Sequence, residues 1–419
     1  ARMAASRYWP NPFAEAGADP PAFTAEACWD GVAAILPQLA ECVRRGRVPE
    51  SSGGWTRDYS VYTGLGGVAL TLLRAGLHCR GSRGDVATAD DLLRQAQGAA
   101  EACLAAEPRS REVSFFCGTP GHLAILCAAA AALGAPAEAE RHARALLEWA
   151  PAAFEHREDE LLFGRAGYIY ALLFVQRHGG TGLDFGPSLS QTAERVVALG
   201  EARAKRHYPD WPMMWHCFDE PYVGAAHGIV GILKMLLDCH SLLAPRSQQL
   251  VVDTLGRLLR SRFASGNLPI ILGERSDEHV HWCHGAPGIP ALALAAERAL
   301  GDPDGQLRDA ALRAAEVVWR RGAILKGNGL CHGVAGNGYA FLSLFAATGQ
   351  ELHRWRAEAF VALLRHAPLQ EAMCRQPDPQ RRVPGCPDSP ASLMEGAAGV
   401  ACFLLDAIAP EGAAFPGWE

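Results

Sequence analysis

Charge is scarce in this 419-residue chain and neither sign dominates: 20% of residues are charged and the formal net charge is −6. A protein whose main partner is nucleic acid needs a basic field, so that class is excluded. Long apolar runs are also missing. The longest, Leu123 to Leu133, is Ala-rich and well short of the ~20 residues that cross a bilayer. The opening residues hold no charged stretch leading into an apolar one, so no secretory signal is expected. Nor is there a Met-Gly start or a Cys-a-a-X end that would predict a lipid anchor. Closely spaced cysteine pairs are absent among the thirteen cysteines, an odd number scattered from Cys28 to Cys402. Cys103, Cys127, Cys239 and Cys402 fall inside apolar helical patterns, as small core residues do. That usage predicts a reducing, cytoplasmic setting rather than a disulfide framework. What is plentiful excludes disorder, since 49% of residues are hydrophobic, ample for a packed core.

Length alone would allow two or three domains. Internal repetition argues for one. Gly-x-x-Gly recurs seven times, at Gly64/Gly67, Gly118/Gly121, Gly164/Gly167, Gly228/Gly231, Gly285/Gly288, Gly333/Gly336 and Gly396/Gly399, roughly 46 to 64 residues apart. Each pair leads into a run of helical length that is apolar nearly all round, such as HLAILCAAAAALG or NGYAFLSLFAATG, the signature of a helix buried on every side. Between them lie segments such as SQQLVVDTLGRLLRSRF and QLRDAALRAAEVVWRRG, apolar at three- and four-residue spacings. Seven hairpins of one outer amphipathic and one inner buried helix either stay an open solenoid or close into a ring. A solenoid needs polar caps at its ends, and neither terminal repeat looks like one. The expected fold is therefore all-α, an α/α toroid of seven helical hairpins, with residues 1–419 as one domain. The glycines then let the loop approach the start of each inner helix closely.

Equivalent repeats place equivalent residues together. The position just before each first glycine reads Thr63, Cys117, Phe163, His227, His284, His332 and Glu395; one residue earlier stand Tyr62, Phe116, Leu162, Ala226, Cys283, Cys331 and Met394. Soft thiols and imidazoles are thus gathered from separate hairpins onto one end of the axis. A single Cys-His pair would be read as a core thiol beside a surface imidazole. Two copies of W/L-C-H-G-x-x-G at matching repeat positions reverse that reading. Cys283, Cys331 and His332 form a zinc set, and three protein ligands with an open fourth position is the catalytic arrangement. Cys117, His122, His216, Cys217, His279 and His281 receive no metal role.

YVGAAHGIVGIL (Tyr222 to Leu233), HWCHGAPGI (His281 to Ile289) and GLCHGVAGNGYAFL (Gly329 to Leu342) resemble the LanC-like proteins, eukaryotic relatives of bacterial lanthionine cyclases. ELLFGRAGYIYALLFV, RYWPNPF, SLMEGAAGV and AFPGWE extend the resemblance over almost the whole chain. It implies a toroid of seven hairpins with one zinc on Cys283, Cys331 and His332. It also implies glutathione binding, and addition of the glutathione thiol to dehydroalanine or dehydrobutyrine in proteins or peptides. His227 matches the family's acid/base histidine, with His284 as second choice. Glu160 lies where bacterial cyclases carry a functional Asp and would orient His227. Arg7, in an N-terminal segment (1–22) reaching the site mouth, and Lys326 match positions that contact glutathione. A third family arginine aligns with Gly385, so Arg381 or Arg382 is the candidate from a shifted loop. The bacterial cyclases have Tyr where this chain has His284, which favours the eukaryotic-type branch.

Three functions compete at this level. The first is a zinc-dependent glutathione transferase acting on dehydroamino acids. The second is a lanthionine-forming peptide cyclase, which needs a precursor and a partner dehydratase. The third is a non-catalytic glutathione sensor or adaptor. The resemblance also allows SH3-domain partners, for which PDPQRRVPGCPDSP is the candidate contact, and partial association with the plasma membrane. A glycan-processing toroid would need paired carboxylates at the axis; this axis offers thiols and imidazoles.

Overall fold

The computed structural model describes residues 7–15, 22–107, 111–375 and 386–418. Outer and inner helices alternate from the start: α1 (Ala25–Arg45) is outer, α2 (Leu65–His78) inner, α3 (Val86–Ala106) outer and α4 (Thr119–Ala132) inner. The third outer position is broken into α5 (Pro136–Leu147) and α6 (Ala150–Glu155), followed by inner α7 (Arg165–His178). Next come α8 (Gly186–His207) and α9 (Ile229–Asp238), α10 (Pro245–Arg260) and α11 (Ile289–Leu300), then α12 (Gln306–Arg321) and α13 (Val334–Thr348). The last outer layer is α14 (Glu351–Leu363) with α15 (Ala367–Arg375), and α16 (Ala397–Ile408) is the final inner helix. Among the described residues the only sheet is a ribbon of β1 (Val48–Pro49) and β2 (Trp55–Thr56), with Val48 opposite Thr56.

The inner helices pack in chain order, α2 on α4, α4 on α7, α7 on α9, α9 on α11, α11 on α13 and α13 on α16, and α16 returns to α2. The ring closes, so no end repeat needs a polar cap. Helix α1 lies over the seam, against both α2 and α16. This is the α/α toroid read from the glycines. The two layers differ as their sequences do: α10 buries one stripe, at Ser247, Val251, Thr254, Leu255 and Leu258, whereas every residue of α7 from Arg165 to Val175 is buried. Cys103, Cys127 and Cys239 sit in this core, where burial pushes each thiol up to about 12. Among the described residues no helix is long and apolar enough to cross a membrane.

An inner helix begins with N–H groups that lack intrahelical partners, and here no side chain caps them. The loop doubles back instead. The first N–H of α2 (Leu65) bonds the carbonyl of Asp58, seven residues upstream. Arg165 does the same with Glu158, Ile229 with Tyr222, Val334 with Gly327 and Ala397 with Pro390. Such a fold-back brings backbone against backbone at the glycines. A Cβ on Gly121 would lie 1.8 Å from the Phe115 carbonyl oxygen, and one on Gly336 would lie 1.7 Å from that of Leu330.

The fifth hairpin departs from the pattern. Gly285 is left-handed at φ +110, Ala286–Gly288 form a 3-10 turn, and α11 starts only at Ile289. Asn267 is the physical reason. Its Oδ1 accepts the Ala286 N–H at 2.7 Å, the bond that elsewhere goes to a loop carbonyl, while its Nδ2 donates to the His279 carbonyl at 2.9 Å. A buried amide is thereby wedged into the loop that carries Cys283.

Candidate functional site

Backbone hydrogen bonds link the equivalent loop positions around the axis. Cys283 N–H donates to the Cys331 carbonyl at 3.1 Å, Cys331 to Met394 at 2.7 Å, Met394 to Tyr62 at 3.1 Å and Tyr62 to Phe116 at 3.2 Å. The fifth, sixth, seventh, first and second hairpins are thus stitched into one arc. Two thiols nearly 50 positions apart in sequence become neighbours because their hairpins are neighbours. Asn337, fully buried on α13, also holds the loop, donating to the carbonyls of Val280 and Gly322.

The ligand atoms of Cys283, Cys331 and His332 all lie within 4.8 Å of one another, and both cysteines are buried. Two thiols and an imidazole so gathered fit zinc, a borderline-soft ion that takes S and N donors tetrahedrally. Among the described residues no fourth Cys, His, Asp or Glu joins the group. Burial first, and then the Cys283 sulfur beside it, pushes the Cys331 thiol well above its ordinary range. A nearby cation offsets such a penalty, because it stabilises the thiolate.

Two groups around this trio carry no motif of their own. Tyr62 donates its hydroxyl proton to Cys331 Sγ at 2.8 Å, and Glu395 Oε1 lies 4.0 Å from His332 Nε2. Tyr62 occupies the first hairpin's equivalent of the cysteine position, so the repeat register, rather than any local motif, is the signal that finds it.

His227, from the loop before α9, has its ring centroid 6.5 Å from that of His284, the residue following Cys283. Its Nδ1 donates to Glu160 Oε2 at 3.1 Å. Glu160 is 1% exposed and is fixed by the backbone N–H groups of Leu162 (2.8 Å) and Phe163 (2.6 Å). The carboxylate therefore sets the tautomer and leaves Nε2 as the nitrogen for proton exchange. Phe163 stacks on the imidazole at 6.0 Å with 14° between planes, and Phe218 meets it edge-on at 5.6 Å. Cys217, given no metal role from the sequence, places its sulfur 3.6 Å from His227 Nδ1.

His284 packs against both Tyr222 and His227, with centroids 5.5 and 6.5 Å away, and its Nδ1 is buried without a hydrogen-bond partner among the described residues. Burial first, then the charge of His227, pulls its pKa down to about 3. Among the described residues it has no carboxylate partner comparable to Glu160. His281 packs against His332 and His279 against His281, with centroids 6.2 and 5.5 Å apart.

Arg7 and Lys326 are brought to the same rim. Trp9 N–H bonds the Ala323 carbonyl at 2.7 Å, and Leu325 N–H bonds the Arg7 carbonyl at 3.0 Å, so the N-terminal segment runs antiparallel beside residues 323–325. The Arg7 guanidinium reaches His279 at 2.9 Å and Glu278 at 3.3 Å. Lys326 is close enough to help hold His279, His281 and His284 neutral, although burial is the larger cause for each. Arg381, Arg382 and most of PDPQRRVPGCPDSP lie outside the described residues.

Residues 56–419 match the family described as lanthionine synthetase C-like protein. The chain belongs to that family. It is 34% identical over 375 residues to glutathione S-transferase LANCL1 of Danio rerio, an alignment covering 87% of this chain and 85% of the relative. It is 32% identical over 394 residues to the LanC-like protein GCL1 of Arabidopsis thaliana, covering 91% and 86%. Among solved structures, nisin cyclase superposes with a TM-score of 0.61 over 91% of this chain and 94% of its own, at 14% identity, a likeness of fold. The LanC-like assignment and the closed ring agree, and the seven loops that define the ring also carry the thiols and imidazoles.

Proposed function

We propose that this LanC-like protein is a zinc-dependent glutathione transferase that adds the glutathione thiol to dehydroalanine or dehydrobutyrine residues by conjugate addition. The observation that carries the reading is the convergence of Cys283, Cys331 and His332 beside a His227–Glu160 pair. The relative named glutathione S-transferase supports the thiol donor. Cys283, Cys331 and His332 would hold the zinc, which, when bound, lowers the pKa of an incoming thiol so that a thiolate is available at neutral pH.

The remaining steps fall to the chain's own groups. As sulfur bonds to the β-carbon of the dehydroamino acid, the C=C electron pair moves to the α-carbon and its carbonyl, forming an enolate. The proton shed by the glutathione thiol passes to His227 Nε2, which then delivers it to the α-carbon, and Glu160 stabilises the charged imidazole in between. The net change is S–H added across C=C, so no further reactant is needed. Arg7 and Lys326 take the two carboxylates of glutathione. The Arg7–Glu278 pair is solvent-exposed on both sides (50% and 58%), and exposed pairs contribute little, so a substrate carboxylate displaces it readily.

The test is to incubate the protein loaded with one equivalent of zinc with glutathione and a dehydroalanine peptide and to look for the adduct mass. Adduct formation well above the uncatalysed rate supports the reading. Glutathione binding without acceleration overturns it in favour of a sensor. Inert glutathione with cyclisation of a cysteine-bearing dehydrated peptide overturns it in favour of a cyclase.

A further inference from the structure

Cys217 is 1% exposed, and its sulfur joins Glu160 and His227 in a second group whose ligand atoms all lie within 4.8 Å of one another. We infer that Glu160, Cys217 and His227 form a second, weaker site for a thiophilic divalent cation such as zinc, whose occupation silences His227. The silencing clause rests on the role given to His227 above; the site itself does not.

Geometry carries the inference. Zinc holds sulfur at about 2.3 Å, imidazole nitrogen at about 2.0–2.1 Å and carboxylate oxygen at about 2.0–2.2 Å. At tetrahedral angles those bonds separate S from N by about 3.6 Å and N from O by about 3.3 Å. The structure has Cys217 Sγ 3.6 Å from His227 Nδ1, and Nδ1 3.1 Å from Glu160 Oε2. A cation would enter with shifts of a few tenths of an ångström. The donors are also fixed beforehand. Glu160 is tied by two backbone N–H groups. Cys217 is set by a tight turn in which it and Glu220 exchange backbone hydrogen bonds at 3.1 and 3.0 Å. That turn holds Phe218 at φ 49 and Asp219 at φ 63, left-handed values that side chains other than glycine adopt at a cost.

Charge points the same way. A divalent ion with one thiolate, one carboxylate and a neutral imidazole is neutral overall, which suits a site shielded from water. With one sulfur in place of two, this site binds zinc less tightly than the Cys283–Cys331–His332 group. Filling it replaces the Nδ1 proton donated to Glu160. The imidazole then no longer cycles through its charged form, and proton delivery slows.

The experiment titrates the full chain with zinc and, separately, with cobalt, reading metal per chain by native mass spectrometry and thiolate-to-cobalt charge transfer by absorbance. Wild type is expected to take two equivalents and Cys217→Ala one, with unchanged thermal melting as the folding control. Cys283→Ala/Cys331→Ala is expected to retain one equivalent, lost on adding Cys217→Ala. In the adduct assay the second equivalent should slow wild type at least about 10-fold and spare Cys217→Ala. Saturation of wild type at one equivalent, a second equivalent surviving Cys217→Ala, or no metal on the Cys283/Cys331 double variant would each overturn the site. If no adduct forms under any condition, the transferase reading fails while the stoichiometry still decides this one.

Discussion

The Cys283 amide donates to the carbonyl of Cys331 at 3.1 Å. That bond ties two adjacent hairpins at the positions that carry the thiols, so the distance between the sulfurs is governed by the ring rather than by a local loop. A metal centre built this way is as rigid as the toroid. Its ligands are supplied by segments that the chain brings together only when the ring has closed.

Replacing Cys331 with Ala removes one of three donors and tests the proposed dependence on zinc. Zinc content at saturation should fall by about one ion per chain, because three donors already leave an open position and two do not hold the ion. Elemental analysis reads this directly. Adduct formation should fall to the uncatalysed rate in the same preparation.

Tyr62→Phe deletes only the hydroxyl that donates to Cys331 Sγ at 2.8 Å. Partners of metal ligands typically change affinity or activity by ~10–100-fold when removed, and a loss in that range is expected here. Competition with a chelator of known affinity measures it. The ring itself remains in place, packed edge-on against Phe116, so melting should change little.

His227→Asn should leave the zinc on Cys283, Cys331 and His332 intact and slow addition by roughly 10²–10⁴-fold, the range for a positioned proton donor. Glu160→Gln should give a smaller loss with that zinc again retained, since it removes the anion but keeps a hydrogen-bonding side chain beside Nδ1. Full activity in His227→Asn would take the residue out of the mechanism and pass the role to another group.

The repeat count, the inner and outer layers and the ring were legible because Gly-x-x-Gly marks backbone contacts that tolerate no Cβ, as at Gly121 and Gly336. The clustering of Cys283, Cys331 and His332 was legible because CHG recurs at equivalent positions. Tyr62 and Cys217 were harder to read. Each is tied to the site by a side-chain hydrogen bond, to Cys331 and His227 respectively, and each bond depends on neighbouring loops rather than local sequence. The late start of α11 was hidden too, because it depends on Asn267, eighteen residues before the first glycine of its motif. Periodicity sees the helix but not the amide wedged under it.

His122 gives the fold a pH dependence that can be separated from the site. It is 2% exposed, its Nε2 donates to the Tyr59 carbonyl at 2.7 Å, and its Nδ1 is buried without a partner among the described residues. Burial holds its pKa below the ordinary value, so the folded protein keeps it neutral where the unfolded chain takes up a proton. Stability tied to His122 is therefore full above ~6.5, the unfolded value, and is lost progressively as pH falls toward the lower folded value. Asp159 opposes this. Burial outweighs its Arg165 partner and raises it to about 6, so acidification below that point favours its folded form. His122→Asn removes one of these titrations and leaves the other. The gap in urea midpoint between wild type and His122→Asn should therefore shrink as pH goes from 7 to 5. A gap that stays constant or widens would mean that the buried imidazole is protonated in the folded ring.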